Sequence, residues 1–335
     1  MKGIVLKEYN PNIIRAMFDM KVEEKPTPKP VSDQVLVNID ASPVNPSDIA
    51  FIRGMYNVKK NLPAIPGFEG TGIVVDTGNQ NDAKALLGKR VSCFCQKDND
   101  GTWADYFLAS VSECFPVKKQ MDRFQSACFF INPFTAYALY ELCKNKNAKA
   151  IIQSAASGQV GKFFRYFAKN DNIPVINIVR KEKHIGELLA EGEKYVLDST
   201  SPDFYENLYK LSHELYVNVA IDAVGGEFTG KLIKCLPDYS DVILFGGLSG
   251  TYISDIDPLE IIFHKKSLIG FNLNEWFKKH NRVEQLKISD KLQDLFISEK
   301  LITKIKDHYD LSDVKSAFKH YISDMSGGKV LFVPK

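Results

Sequence analysis

The hydrophobic pattern of the chain changes near residue 121. Before that point, Gly3 to Lys7 and Gln34 to Ala41 are predicted to be half-buried β-strands, the latter with Val35, Val37 and Ile39 on one parity. The proline- and glycine-rich run Pro63 to Gly72 reads as a loop that leads into a strand over Ile73 to Asp76. The first part therefore predicts a β-rich, barrel-like unit.

After residue 121 the pattern alternates between helical segments and short apolar runs. A helix, a glycine-bearing turn and further helices separate these runs, which is typical of repeated β–α units and predicts a parallel, doubly wound sheet. A long polar and amphipathic helix is expected over Arg282 to Leu301, followed by a final strand. The predicted strands of the parallel sheet are Ala150 to Ile152, Pro174 to Val179, Val217 to Ala223, Val242 to Phe245 and Ser267 to Phe271.

The turn after the first of these strands contains part of a dinucleotide-binding fingerprint. In the pattern G-x-G-x-x-G, Ala156 stands at the first position, and Gly158 and Gly161 hold the second and third. The pattern provides a tight turn, close backbone approach to a pyrophosphate and a helix N-terminus with free amides. An ordinary strand-to-helix turn has similar glycines, so the glycines alone leave both interpretations open. The predicted cofactor-binding residues here are Ser157, Gly158, Gln159, Val160 and Gly161.

Two cations follow the second strand of this unit. An acidic residue at that point binds the ribose hydroxyls of NAD, whereas this chain has Arg180 and Lys181. A guanidinium binds a phosphate through two parallel hydrogen bonds and an ammonium binds it as a point charge. The pair favours the 2'-phosphate of NADP. A solvated basic turn is the alternative, and the neighbouring Glu182 keeps NAD open.

Composition narrows the class of protein. The chain has 335 residues, of which 44% are hydrophobic, and this is enough for two medium-sized cores. Its 43 basic and 41 acidic residues give a net charge of +2, which argues against binding of nucleic acid by phosphate attraction. Six cysteines without a regular spacing indicate reduced thiols. With no signal peptide or membrane span in the pattern, a cytoplasmic protein is expected.

The ordered series of motifs resembles the medium-chain dehydrogenase/reductase superfamily. The series is NPSDIAFIRGMY, PAIPGFEGTG, GKRV with GTWADY, NPFTAY, SAASGQVG, DAVGG, FGG and GGKVLF, and it covers nearly the whole chain. The resemblance implies an α/β protein with two domains. A GroES-like β-rich catalytic domain would comprise residues 1–120 and 272–335, and a Rossmann domain with a doubly wound parallel sheet would comprise 121–271. It also implies a cofactor cleft where the domains meet, and a homodimer.

Within that superfamily the presence of zinc decides the chemistry. Zinc alcohol dehydrogenases have a Cys before the first short helix and a His-Glu pair in the PGxEG loop, and here those positions are Asn45 and Phe68-Glu69. No histidine precedes His184, and catalytic zinc normally needs three protein ligands. Cys93 and Cys95 are the only closely spaced cysteines. We therefore predict no metal.

The metal-free branch contains quinone reductases, alkenal reductases and trans-2-enoyl-CoA reductases. The local sequence is most similar to the enoyl reductases, in which an Arg at the place of Arg180 faces the NADP phosphate. Their G-x-Y tyrosine, which serves as proton donor, matches Tyr56. A phenol with a pKa near 10 stays protonated at neutral pH. Tyr56 is therefore the predicted catalytic acid, and a tyrosine that only packs is the alternative.

The resemblance assigns the remaining site residues. It places Asn45 against the nicotinamide, as a catalytic and cofactor-binding residue, with a plain turn residue as the alternative. Thr135 would contact the nicotinamide amide, or simply begin a helix. Phe271 and Asn272 would cover the nicotinamide, or simply end a strand. The glycines of a further segment would allow close approach to the cofactor: Phe245, Gly246 and Gly247.

These observations predict a zinc-independent NADPH-dependent reductase of activated C=C bonds, such as enoyl thioesters and enals or enones, or of quinones. A small-molecule substrate is expected, with neither nucleic acid nor membrane as partner. The alternatives are a quinone oxidoreductase without a dedicated proton donor, and an NADPH-binding protein without turnover. The cations after Trp276 are either a site for CoA phosphates or a solvated surface: Lys278, Lys279, His280 and Arg282.

Overall fold

The computed structural model describes residues 1–95 and 99–335. The chain divides into two compact units, Met1–Asn132 with Arg282–Lys335, and Pro133–Asn281. These boundaries lie further along the chain than the domain boundaries expected from the sequence. The helix Arg123–Ala127 packs on strands of the first unit, and the guanidinium of Arg282 donates to the carbonyl of Cys114. The first contact holds in the first unit a segment that the sequence pattern assigned to the second, whereas Arg282 was expected in the first unit.

The first unit is built on a seven-stranded sheet. Its strand order is β14-β15-β3-β4-β5-β7, with β6 paired to β3, and β1 and β2 form a separate two-stranded antiparallel sheet. The strands are β1 Lys2–Val5, β2 Lys21–Glu24, β3 Gln34–Pro43, β4 Glu69–Thr77, β5 Arg90–Phe94, β6 Tyr106–Ser110, β7 Cys114–Pro116, β14 Ile305–Tyr309 and β15 Lys329–Phe332. The helices are α1 Ile13–Asp19, α2 Pro46–Ile52, α3 Asn81–Lys84, α4 Arg123–Ala127, α12 Arg282–Ile297 and α13 Val314–Ser323.

The core of the first unit follows the alternation seen in the sequence. Val35, Val37 and Ile39 on β3 are buried, as the period of two predicts for one face of a strand. A second cluster is aromatic, and the ring of Trp103 contacts Phe318 and Phe332 at centroid distances of 5.5 and 5.0 Å. The aromatic cluster thus joins the two ends of the chain, because Phe318 and Phe332 come from the C-terminal segment.

The prediction of a loop from Pro63 to Gly72 is wrong at its end, because β4 begins at Glu69. Glycine allows this strand to lie close to its neighbour. A Cβ on Gly72 would lie 1.9 Å from the carbonyl oxygen of Asn38 on β3. The glycines therefore permit strand pairing here, and Glu69 is held in the sheet.

The second unit contains a six-stranded sheet in which every pairing is parallel. Its strand order is β10-β9-β8-β11-β12-β13, which confirms the predicted doubly wound Rossmann sheet. The strands are β8 Ile151–Gln153, β9 Val175–Val179, β10 Tyr195–Asp198, β11 Val219–Asp222, β12 Asp241–Leu244 and β13 Ser267–Gly270. The helices are α6 Gln159–Asn170, α7 Glu182–Ala190, α8 Phe204–Glu214, α9 Gly226–Lys234, α10 Pro258–Ile262 and α11 Leu273–Lys278, and α5 Ile131–Asn145 leads into the unit.

No helix within the described part of the chain combines the length and the apolar character needed to cross a membrane.

Candidate active site and cofactor-binding elements

Tyr56 lies just after α2 in the first unit. Its ring packs against Phe68 with a centroid distance of 5.0 Å and an interplanar angle of 40°. Phe68 in turn contacts Phe51 edge-on at 5.5 Å. Tyr56 is half-buried, whereas Phe51 and Phe68 are fully buried. Tyr56 therefore lies at the margin of the aromatic cluster, and its role as a proton donor stays a prediction.

Asp48 joins the first turn of α2 to the start of β4. Its carboxylate accepts hydrogen bonds from the backbone N–H groups of Asn45, at 2.8 Å, and of Phe68, at 3.1 Å. Asn45 is the N-cap of α2 in an extended conformation and Pro46 is the first helical residue, where proline is well tolerated. The Asn-Pro-Ser-Asp sequence therefore builds a capped helix start that fixes the backbone of Asn45.

The side chain of Asn45 lies in a buried polar network with Glu69 and Lys329. The amide Nδ2 of Asn45 donates to Glu69 Oε1 at 2.9 Å, and Lys329 Nζ donates to Asn45 Oδ1. The other carboxylate oxygen of Glu69 accepts from the backbone N–H of Ile131 at 2.9 Å. All three side chains are at most 5% exposed. We call this set, Asn45, Glu69 and Lys329, the Asn45 network.

Two buried acids share the charge of Lys329. Burial raises the pKa of Glu69, while the ammonium of Lys329 and the hydrogen bonds from Ile131 and Asn45 oppose this shift. Burial also raises the pKa of Asp48 to about 7, which the Asn45 amide opposes and the charge of Glu69 reinforces. Ionising both acids therefore leaves one negative charge without a counterion in a region of low dielectric.

The donor set of this region does not suit a zinc ion. Asn45 presents a neutral amide whose oxygen already accepts from Lys329, and a metal ion beside that ammonium would be repelled. Among residues 1–95 and 99–335, no group of three His, Cys, Asp or Glu side chains is placed to hold a metal. Cys93 and Cys95 are buried thiols, and burial raises the pKa of Cys93.

The nucleotide-type turn of the second unit has the geometry that its glycines predict. The left-handed residue is Ala155, with φ of 50°, one position before the alanine of the fingerprint. Gly158 is the N-cap of α6. A Cβ on Gly161 would lie 2.6 Å from the carbonyl oxygen of Ala156, so only glycine allows α6 to approach the turn this closely. Ser157, Gln159 and Val160 are half-buried in the same turn.

Arg180 and Lys181 follow β9, and both side chains are exposed. Lys181 is the N-cap of α7, and Glu182 lies in the first turn of that helix. The two cations are therefore at the carboxyl end of the strand next to β8, which is where ligands bind in open parallel sheets.

A second glycine segment lies at the same edge of the sheet. The backbone N–H of Phe245 donates to Asp222 at the end of β11. A Cβ on Gly246 would lie 2.7 Å from the carbonyl oxygen of Ala223, whereas one on Gly247 would meet open space. Gly246 therefore serves close packing of the two loops, and Gly247 is the glycine with room for a ligand.

Asp222 organises two turns of the second unit and was not predicted from the sequence. Its buried carboxylate accepts hydrogen bonds from the hydroxyls of Ser154 and Thr229, each at 2.6 Å, and from the backbone N–H groups of Val224 and Gly225. It thereby ties the turn after β8 to the turn after β11. The DAVGG motif could have indicated this role, because an Asp side chain at the start of a glycine-containing turn often accepts hydrogen bonds from the backbone of that turn.

The remaining predicted residues are buried or occupied in local structure. Thr135 is 8% exposed within α5, which starts earlier, at Ile131. Phe271 follows β13 and its N–H donates to Leu244. Asn272 is exposed, and its side chain accepts from the N–H groups of Asn274 and Glu275 as the N-cap of α11. For these three residues, contact with the cofactor stays a prediction.

Of the cations near Trp276 in the sequence, Arg282 and Lys278 have partners within their own units. The indole of Trp276 is buried and donates to Glu141 at 2.8 Å. The guanidinium of Arg282 lies 4.5 Å from the ring centre of Phe115 and donates to backbone carbonyls of 111–114. Lys278 pairs with Glu275 at 2.6 Å. Arg282 therefore stabilises the first unit through contacts within it. Because these contacts occupy its guanidinium, the hypothesis of a CoA phosphate site is weakened.

Comparisons with known proteins agree with this geometry. Residues 31–119 match the alcohol dehydrogenase GroES-like domain. The chain is 29% identical to the mitochondrial enoyl-[acyl-carrier-protein] reductase of Caenorhabditis elegans, over 84% of this chain and 82% of the relative. A solved NADPH:quinone reductase of Mesorhizobium loti superposes with a TM-score of 0.93 at 27% identity, over 100% and 98% of the two chains. The quinone oxidoreductase of Escherichia coli, solved with NADPH, gives a TM-score of 0.85 at 21% identity over the whole of both chains, which indicates a shared fold.

A GroES-like unit together with a doubly wound parallel sheet is the architecture of a two-domain oxidoreductase. In sequence and in fold the chain is similar to the medium-chain dehydrogenase/reductase superfamily, in the branch of the quinone oxidoreductases and enoyl reductases.

Proposed function

We propose that this enzyme is a zinc-independent, NADPH-dependent reductase that transfers a hydride to an activated C=C bond or to a quinone. The enoyl reductase name of the relative and the quinone reductase name of the solved neighbour support these two substrate classes. Enoyl thioesters and enals or enones are the alkene substrates that fit this chemistry, because hydride attack at their β-carbon places the negative charge on a conjugated oxygen.

The Asn45 network is the observation that carries the zinc-independent part of the proposal. Asn45 stands where zinc alcohol dehydrogenases have a cysteine ligand, and it binds an ammonium instead. Glu69, the retained acid of the PGxEG motif, is occupied by two N–H donors. Polarisation of the substrate oxygen must then come from hydrogen-bond donors, and activated alkenes and quinones are the acceptors that tolerate this.

NADPH is the proposed cofactor, and when bound it supplies the hydride. The residues that would hold it are the turn 157–161 and the exposed cations Arg180 and Lys181. The amides at the start of α6 suit the pyrophosphate, and the cations suit a 2'-phosphate. The NADPH in the names of two solved neighbours supports the same choice.

Two side chains of the first unit are assigned roles toward the substrate. The phenol of Tyr56 would hold the proton that completes alkene reduction. Asn45 donates one amide hydrogen to Glu69, and we assign its second amide hydrogen to the cofactor ribose or the substrate. Because Lys329 and Glu69 fix both ends of the carboxamide, Asn45 would act as an oriented donor.

The substrate class is tested by following NADPH oxidation with a panel of enoyl thioesters, enals and quinones, for the wild-type protein and for Tyr56→Phe. We expect Tyr56→Phe to lower kcat for enoyl thioesters by about 10²-fold or more, the usual contribution of a general acid, and to leave quinone reduction unchanged.

Tyr9→Phe is the matched control, because Tyr9 also packs on the aromatic cluster, at 5.4 Å from Phe51. It should leave both activities close to wild type. Unchanged enoyl reduction in Tyr56→Phe would assign Tyr56 to packing, and absence of NADPH oxidation with every substrate would overturn the enzymatic proposal.

We also propose that the protein is a homodimer. The edge strand β13 ends the six-stranded sheet, and an unpaired edge readily pairs with another chain. The helix before it, α10, exposes Ile262 by 52%, and Phe263, which follows, is 70% exposed. An apolar surface beside an open strand suits a symmetric contact with a second copy.

A cytoplasmic location remains part of the proposal. Six buried thiols suit a reducing compartment, and the mitochondrial name of the relative marks the organelle as the competing location. Cell fractionation with detection of the full-length chain distinguishes the two.

A further inference from the structure

A buried cation lies beneath the nucleotide-type turn of the second unit. Arg165 is on α6 and only 5% exposed. Its Nη1 donates to the carbonyl oxygen of Ala156 at 2.6 Å, and its other nitrogens pair with Glu191 at 2.7 Å and Glu193 at 3.4 Å. A buried guanidinium is costly unless all of its donors are used, and here the backbone of the turn is one of its three partners.

The contact falls on the position where the fingerprint departs from the usual glycine. Both backbone polar groups of Ala156 are hydrogen-bonded. Its N–H donates to the carbonyl oxygen of Ile178 on β9 at 3.1 Å, and its own carbonyl oxygen accepts from Arg165. The same carbonyl oxygen is the atom that a Cβ on Gly161 would meet. Arg165 and Gly161 therefore act on one peptide group, which precedes the amides offered to a pyrophosphate.

A chain of buried amides extends the network across the sheet. Asn177 Nδ2 donates to Glu193 at 3.0 Å, and Asn177 Oδ1 accepts from Gln153 at 2.6 Å. The same Gln153 amide reaches the carbonyl oxygen of Gly161 at 3.4 Å. Gln153, Asn177 and Glu193 thus connect the first strand, the second strand and the segment before the third to the turn that Arg165 holds.

We propose that Arg165 is a positioning residue for cofactor binding, which holds the turn 155–161 in the shape that receives the pyrophosphate. This inference rests on the proposed function, because it assumes that the turn binds a dinucleotide. Arg165 is buried on α6 and acts only through the backbone of the turn. The network therefore does not distinguish NADPH from NADH, since the pyrophosphate is common to both.

The test measures Kd for NADPH and for NADH by fluorescence titration of the full-length protein. Arg165→Met should raise Kd for both cofactors by the same factor, about tenfold or more, because a hydrogen bond from a charged donor is lost. Arg180→Ala should raise Kd for NADPH alone. The contrast between the two variants separates shaping of the turn from recognition of the 2'-phosphate.

Two further variants control for loss of stability. Lys146→Met removes another cation of the second unit, one that pairs with Asp241 at the amino end of β12 at 2.7 Å, and it should leave both Kd values within about twofold. Arg165→Met combined with Glu193→Gln removes the buried acid together with the cation, and it should repeat the loss for both cofactors. Urea unfolding of each variant shows that the titrated protein is folded.

Wild-type affinity of the folded double variant for both cofactors would overturn the role of Arg165. So would a loss confined to NADPH, or an equal loss in Lys146→Met. If the wild-type protein bound neither cofactor, the proposed function would fail first and the inference with it. If the wild type binds both cofactors and the Arg165 variants show the same Kd values, the inference fails and the proposed function stands.

Discussion

Asp48 and Glu69 are fully buried carboxylates close to one ammonium, that of Lys329. Each acid is held by hydrogen bonds from N–H groups, which favour the ionised form, while burial favours the protonated form. For both groups burial is the largest influence, and their pKa values are raised. At the scale of single residues, the fold of the first unit therefore favours the protonated, neutral form of both acids.

Stability should respond to this as pH rises. The unfolded chain ionises Asp48 near 3.8, whereas the folded protein retains the proton up to about 7. The stabilising effect of the protonated acid is thus complete below pH 3.8 and is lost between pH 4 and 7, by up to roughly 4 kcal/mol. Glu69, whose pKa is also raised, contributes with the same sign, and the charge of Lys329 opposes this contribution. The phenol of Tyr321 is a further titratable group near Asp48.

Asp48→Asn removes this titration and keeps the shape of the side chain. The amide cannot accept both backbone N–H groups, so the variant has a fixed cost at every pH. We expect its urea midpoint to rise relative to wild type as pH increases from 4 to 7. A difference between the two midpoints that is constant over this range would show that Asp48 is already ionised in the folded protein.

At the scale of helices and strands, periodicity was enough to predict a parallel, doubly wound sheet and the alternation of β3. Short elements with polar faces were not predicted, such as β10, whose residues are all half-buried, and β14. The pattern over Pro63 to Gly72 was misleading because glycine permits close strand pairing as well as turns. Local sequence therefore indicates which segments are regular and only weakly where they begin.

Site residues are harder to predict, because their partners are distant in sequence. Asn45 was expected to face the cofactor, and its carboxamide lies between Glu69 and Lys329, the latter 284 positions away. The role of Arg165 could not be predicted, because no sequence motif includes it and a cation on an amphipathic helix is normally expected to be exposed. Glycines and the helix N-terminus were recognisable because they are properties of adjacent residues.

At the scale of the whole molecule, both ends of the chain complete the first unit. The strand β15 pairs with β3 through Leu331 and Phe332, and it supplies Lys329 to the Asn45 network. The proposed dimer concerns the other unit, where β13 is an edge strand. Folding and association therefore depend on different surfaces.

Phe263→Asp tests the proposed association. A charge on the exposed apolar surface beside β13 should convert the dimer to a monomer, because it must be desolvated in the contact. Phe18→Asp is the control, since Phe18 is 53% exposed on α1 in the first unit. Sedimentation measures the mass of each. A dimeric Phe263→Asp, or a monomeric wild type, would contradict this interface.

All six cysteines are buried thiols. Thiolates react with alkylating reagents far faster than thiols, and burial raises the pKa of groups such as Cys128 and Cys143. The native protein should resist iodoacetamide, and labelling should follow transient opening. Four cysteines lie in the first unit, Cys93, Cys95, Cys114 and Cys128, and two in the second, Cys143 and Cys235. Mass spectrometry of labelled peptides would thus time the opening of each unit separately, with no probe introduced.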